Sequence, residues 1–286
     1  MSGAASQRFQ DKTVVITGGT SGIGLAAARR LLREGADVIV THSRKASRVR
    51  AEPELPGAEF ILNDASDPDR AATDLASTIG ARRIDGLFLN AGQATFAPLG
   101  QITSEEFDRQ FAILVKAPLL QVQALAPSLR DGASVVFTTS TANRMGAPGT
   151  AIYAAAKGAA RSLVRVLARE LAPRRITVTG LSPGPIETNF AERTGMDADA
   201  QAGFREKIAA KVPLGRMGTA DEAAAVAAFL LSGEASFVTG SEYVVDGGVT
   251  ELCLGAHPTI ISKPTEFPND QDTDNRPEDR RSPVGD

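Results

Sequence analysis

The sequence has one cysteine, no tryptophan, two tyrosines and two histidines among its 286 residues. The single cysteine, Cys253, excludes an intrachain disulfide and any multi-cysteine metal site. His42 and His257 are too few to build a histidine metal centre, so no metal is expected. No run approaches the roughly 18 apolar residues of a membrane helix, and no membrane partner is expected. Residues 1–12 lack a long apolar core, so no signal peptide is expected there. The net charge of −3 leaves no basic field for nucleic acid, and none is expected as a partner. A lone thiol suits a reducing compartment, which makes a cytoplasmic location the expectation. What remains is 42% hydrophobic and 23% charged, ample for one sizeable core.

Short apolar or β-branched runs at 13–17, 37–41, 58–62, 84–89, 134–139, 176–181 and 242–245 read as strands. Helical patterns occupy 23–33, 67–80, 105–130, 151–172 and 221–231, and Pro118 is expected to bend the third. Residues 188–212 read as a loop with one or two short helices. Because the strands are apolar runs interleaved with helices, they predict an α/β fold. Its core is a doubly wound parallel sheet of about seven strands, covered on both faces, in a single domain over 12–252. Residues 1–11 read as a flexible lead-in. Residues 253–286 hold five prolines and seven acids against four Lys or Arg. Such a segment buries too little apolar surface to offset its chain entropy, and a disordered tail is expected.

Two stretches carry chemistry. Thr17-Gly18-Gly19-Thr20-Ser21-Gly22-Ile23-Gly24 falls between the first strand and the first helix. There, glycines let backbone N–H groups approach a pyrophosphate, and the helix N-terminus favours the negative charge. No GKS or GKT follows, so it is not a Walker phosphate loop. The second stretch, Ser140 to Lys157, sets Tyr153 and Lys157 four residues apart on one face of an alanine-rich helix. A lone Tyr-x-x-x-Lys is more often a surface pair. Beside a dinucleotide turn, the two become candidates for proton transfer. His42 suggests no hydrolase triad, since no GxSxG nucleophile elbow is present.

Taken together, these motifs resemble the short-chain dehydrogenase/reductase family over about residues 12–252. TGGTSGIG is similar to the family's cofactor turn, with Gly18, Thr20, Ser21, Gly22, Ile23 and Gly24 as its contacts. Asp64 with Ala65 resembles the adenine-side pair. Asn90-Ala91-Gly92 resembles the NAG motif, and Pro183-Gly184 with Ile186 and Thr188 the segment at the nicotinamide end. Val245-Asp246-Gly247-Gly248 resembles a C-terminal signature. The resemblance implies that Ser140, Tyr153 and Lys157 are catalytic. Tyr153 would exchange the proton, Ser140 would orient the substrate oxygen, and Lys157 would also hold the nicotinamide ribose. A Lys ammonium beside the phenol is expected to lower its pKa. The family usually carries an asparagine where Leu114 stands here, and it helps hold a water that links the lysine to solvent. Leucine cannot do so.

The implied reaction is hydride transfer between a nicotinamide cofactor and a small-molecule carbonyl or alcohol substrate, with NADPH-dependent ketone reduction favoured. NADP(H) is favoured over NAD(H) because the second strand runs into His42-Ser43-Arg44-Lys45 with no acid. Arg44 with Ser43 can recognise a 2′-phosphate that an acid would repel. Gln93, Asn143, Arg144, Met145 and Pro185 are candidates to line the substrate pocket. Family resemblance and apolar helix faces imply a homodimer or homotetramer. The same residues leave open a low-turnover nucleotide sensor or scaffold, and an imine reductase or epimerase.

Overall fold

The computed structural model describes residues 7–188 and 198–252. The expected disordered tail at 253–286 lies outside the described residues. The sheet strands are β1 (Thr13–Thr17), β2 (Asp37–His42), β3 (Glu59–Leu62), β4 (Ile84–Leu89), β5 (Leu129–Thr138), β6 (Thr177–Pro183) and β9 (Glu242–Val245). They pair in the order β3-β2-β1-β4-β5-β6-β9, and every pair is parallel. β7 (Ile186–Glu187) and β8 (Gly218–Thr219) form a separate short pair. The helices are α1 (Gly22–Arg33), α2 (Lys45–Ala51), α3 (Pro68–Ile79), α4 (Ser104–Phe111), α5 (Ala117–Leu125), α6 (Ala151–Leu171), α7 (Ala198–Ala209) and α8 (Ala220–Leu231).

Strand periodicity of two feeds both faces of the sheet. Val14 and Ile16 of β1 pack on one side with Ala27 and Leu31 of α1 and Ala227 and Leu231 of α8. Val15 points the other way, into a cluster with Leu75 of α3, Leu125 of α5 and Val164 of α6. Each fully buried aliphatic side chain stabilises the fold by about 1.5–3 kcal/mol. The helices start where capping chemistry directs. Asp67 accepts from the Arg70 N–H ahead of Pro68, and Thr103 accepts from the Glu106 N–H. Thr219 and Glu222 form a capping box for α8. β1 has β2 on one side and β4 on the other, so the strand order reverses there. That reversal opens a crevice at the carboxyl ends of β1 and β4.

Several expectations need correction. The segment read as one helix over 105–130 is α4, a π-helical turn at Ala112–Lys116 and α5, which ends at Leu125. The irregularity precedes Pro118, whose ring would meet the Leu114 carbonyl in a regular helix. β5 starts at Leu129, five residues early, with an irregular register between Ile84 and Gly86 where Gly132 takes a φ of 81°. The seven-residue α2 was not anticipated. Residues 7–11 are not a loose lead-in. Phe9 is 2% exposed, its N–H donates to the Glu34 carbonyl, and Arg8 pairs with Glu34 and Glu234. One aromatic side chain with a core to enter was enough to anchor them.

Candidate active site

The glycine turn lies at the crevice. Gly18 has a φ of 67°, and a Cβ there would sit 2.8 Å from the Ala91 Cα. A Cβ on Gly24 would meet the Gly18 carbonyl and the Asn90 amide. The turn is therefore closed on one side by the end of β4, and only glycine permits that approach. Thr17 Oγ1 accepts from the N–H groups of both Asn90 and Ala91, each at 3.0 Å. The first turn of α1 carries no acidic residue, so its positive end is open to an anion. A Cβ on Gly22 would lie 3.2 Å from the Thr188 methyl carbon, which brings the segment after β6 over the turn. A side-chain-free cradle at a helix N-terminus fits a dinucleotide pyrophosphate.

A chain of hydrogen bonds runs from this turn to α6. Asn90 donates from Nδ2 to the Gly18 carbonyl at 3.3 Å and accepts from Thr138 Oγ1 at 3.2 Å. The Thr138 carbonyl accepts from Lys157 Nζ at 2.6 Å. Lys157 is 6% exposed, and burial lowers its pKa from 10.5 to about 8. One turn back along α6 stands Tyr153, with the Ser140 hydroxyl near its phenol. Burial raises the phenol above its ordinary value, and the Ser140 hydroxyl pulls it partly back. The expected lowering by Lys157 is not seen. The ammonium lies over the face of the Tyr153 ring, 5.7 Å from its centroid, and desolvation dominates both groups. Phe96 packs edge-on against Tyr153 at 6.0 Å.

Leu114 sits in the π-helical turn, buried in a cluster with Ile113 and Ala156 that Tyr153 and Ala65 join. Its Cδ2 would be 3.0 Å from a Cβ on Gly92. The space beside the Tyr153–Lys157 face is thus apolar and filled.

The structure brings Ser140, Tyr153, Lys157, the glycine turn, Asn90, Ala91, Gly92 and Thr188 around one crevice. Gly184 also packs at its rim, where a Cβ would lie 2.9 Å from the Asp246 Cα. Ser43 and Arg44 are exposed at the end of β2, and Asp64 is exposed at the end of β3. His42 is neither exposed nor free for ligand contact. It is 4% exposed, its Nδ1 lies 3.2 Å from the Arg44 carbonyl, and burial lowers its pKa. Two pocket candidates already have partners. Asn143 Nδ2 donates to Glu242 at 2.7 Å, and Arg144 pairs with Glu242 at 3.2 Å and Glu251 at 2.7 Å. The buried carboxylate of β9 holds both side chains. Gln93 and Pro185 are half-buried, and Met145 is 40% exposed.

Two contributors escaped the sequence reading. Thr138 acts through its backbone carbonyl, which no residue type advertises. Gln110 is wholly buried, and its Nε2 donates to the Thr95 carbonyl at 2.9 Å, fixing the loop after Gly92.

The sheet order, the glycine turn at its reversal point and the Ser–Tyr–Lys group beside it define a nicotinamide-nucleotide oxidoreductase of the doubly wound class. The family model described as enoyl-(acyl carrier protein) reductase matches residues 18–250. The chain is 36% identical to the oxidoreductase asL5 of Sarocladium schorii, over 87% of this chain and all of that one. It is equally identical, at 36%, to the cyclopentanol dehydrogenase of Comamonas testosteroni, over 85% of this chain and 98% of that one. Among solved structures, BdcA in complex with NADPH is similar, with a TM-score of 0.75 and 34% identity, covering 84% of this chain and 95% of that one. The chain belongs to the short-chain dehydrogenase/reductase family and is an NAD(P)-dependent oxidoreductase of small molecules. Among the described residues, no helix is long and apolar enough to cross a membrane, and no cluster suits a metal ion.

Proposed function

We propose that this protein is an NADPH-dependent ketone reductase in which Tyr153 supplies the proton. The carrying observation is the place of Tyr153: half-buried on α6, one turn from the buried Lys157 and beside Ser140, with desolvation pushing its phenol above the ordinary range. A phenol in this place can donate its proton to a carbonyl oxygen, which suits reduction. Bound nicotinamide supplies the hydride to the carbonyl carbon. Tyr153 gives its proton to the carbonyl oxygen, and Ser140 orients that oxygen through its hydroxyl. Lys157, tied to the Thr138 carbonyl, positions α6 and keeps an N–H for the ribose.

The glycines at 18, 22 and 24 with Thr20, Ser21 and Ile23 hold the pyrophosphate, and Asp64 and Ala65 the adenine end. Asn90, Ala91 and Gly92 support the turn, while Pro183, Gly184, Ile186 and Thr188 hold the nicotinamide end. Arg44 with Ser43 receives the 2′-phosphate, a reading supported by their exposure and the absence of an acid there. Gln93, Pro185 and Met145 line the substrate side. A homodimer or homotetramer joined through α4 and α6 is supported by Phe107 and Val166, which are 43% and 52% exposed. The test is a panel of ketones and aldehydes with NADPH, followed at 340 nm as nucleotide fluorescence and absorbance fall. Tight NADPH binding with no turnover on any carbonyl would sink the reductase reading.

A further inference from the structure

A second polar centre lies away from the crevice, between α6 and β9. Arg161 and Arg165 stand four residues apart on α6, so their guanidiniums rise on one face. Arg144 reaches the same place from the turn that follows β5. These three arginines, with Val164, Gly240, Ser241 and Glu242, line a cavity of about 270 Å³. Its one carboxylate is Glu242, whose side chain is 4% exposed. Arg144 and Arg161 pair with it at 3.2 and 3.3 Å, and Asn143 donates to it.

The charges do not balance inside this cavity. Three guanidiniums face one buried carboxylate. Arg144 has a second partner, Glu251, but that side chain is 67% exposed and stands at the rim. Among the described residues, the only hydrogen bond from the Arg165 guanidinium goes to the Ser162 hydroxyl at 3.1 Å. Each guanidinium offers five N–H donors in a planar fork; among the described residues Arg144 engages all three of its guanidinium nitrogens, whereas Arg161 and Arg165 each engage one and keep the rest. Two surplus positive charges with convergent forked donors match a tetrahedral dianion. The volume far exceeds the ~30 Å³ share of a water molecule, so a small ester fits as well as a bare ion.

We propose that this cavity is a second ligand site, which binds a phosphate group through Arg144, Arg161 and Arg165. Glu242 holds Arg144 and Arg161 in register, and the phosphate replaces Glu251 on Arg144. The site is separate from the nucleotide's own phosphate contacts at the glycine turn and Arg44.

The test is calorimetric titration of the full chain with inorganic phosphate, with chloride used to hold ionic strength constant. Wild type is expected to show one saturable site, and Arg44→Ala the same site unchanged. Arg165→Ala and Arg161→Gln should each weaken binding about tenfold or more. Arg165 bears no ion pair among the described residues, so its variant keeps the test valid if Arg161→Gln fails to fold. No saturable binding in wild type, equal binding in Arg165→Ala, or loss of the site in Arg44→Ala would each overturn the proposal.

Discussion

Lys157 Nζ donates to the Thr138 carbonyl at 2.6 Å. Because Thr138 Oγ1 also donates to Asn90, and Asn90 to the Gly18 carbonyl, α6 is tied to the cofactor turn through two strand ends. The proton-handling helix and the nucleotide cradle are therefore positioned by one hydrogen-bonded path.

Tyr153→Phe removes the phenol proton and leaves the ring packed against Phe96. The expected result is a fall in kcat on the order of 10²–10⁴-fold, with NADPH affinity nearly unchanged. Stopped-flow turnover and fluorescence titration check the two halves. Retained turnover would refute the proton role.

Burial lowers Lys157 from 10.5 to about 8 in the folded chain. Between about pH 8 and 10.5 the unfolded chain binds a proton that the native chain does not, so this group's contribution to stability rises with pH. Below about pH 8 both states carry the charge, and its burial is a constant cost. The melting-temperature difference between wild type and Lys157→Met should therefore shift in favour of wild type from about pH 7.5 to about pH 10. A flat difference would mean that the ammonium is well solvated.

Gly18→Ala forces an L side chain into a φ of 67° and against Ala91. The expected strain of about 1–3 kcal/mol lowers the melting temperature by roughly 2–12 °C. NADPH binding should weaken by more than about tenfold, since the turn must shift to relieve the contact. Thermal melts with nucleotide titration decide this; unchanged affinity would separate the turn from the cofactor.

Arg44→Ala should weaken NADPH by about 10–100-fold, the worth of a charge-assisted contact, and NADH by far less. Paired titrations measure the ratio. Equal losses would show that Arg44 does not read the 2′-phosphate.

Much of the fold was legible in the chain itself. Strand and helix periodicities follow from local side-chain order, so the β-branched run at 13–17, the apolar run at 84–89 and the helix at 68–79 were read within a residue or so. The parallel sheet followed from their alternation. Pro118 announced a break in the helix over 105–130, but not that it would take the form of a π-helical turn at 112–116. Nor was the anchoring of Phe9 legible, since an isolated aromatic near a terminus carries no sign of the core that receives it.

The site divides along the same line. Glycine spacing and the four-residue step from Tyr153 to Lys157 are local, and the sequence by itself determined both. Only the tertiary structure decided which way long polar side chains turn. Asn143 and Arg144 sit three and four residues after Ser140, yet they face Glu242, about a hundred residues further along the chain. It also decided the proton affinities of the central pair. Burial raises Tyr153 and lowers Lys157, and desolvation is a property of the packed surroundings rather than of sequence neighbours.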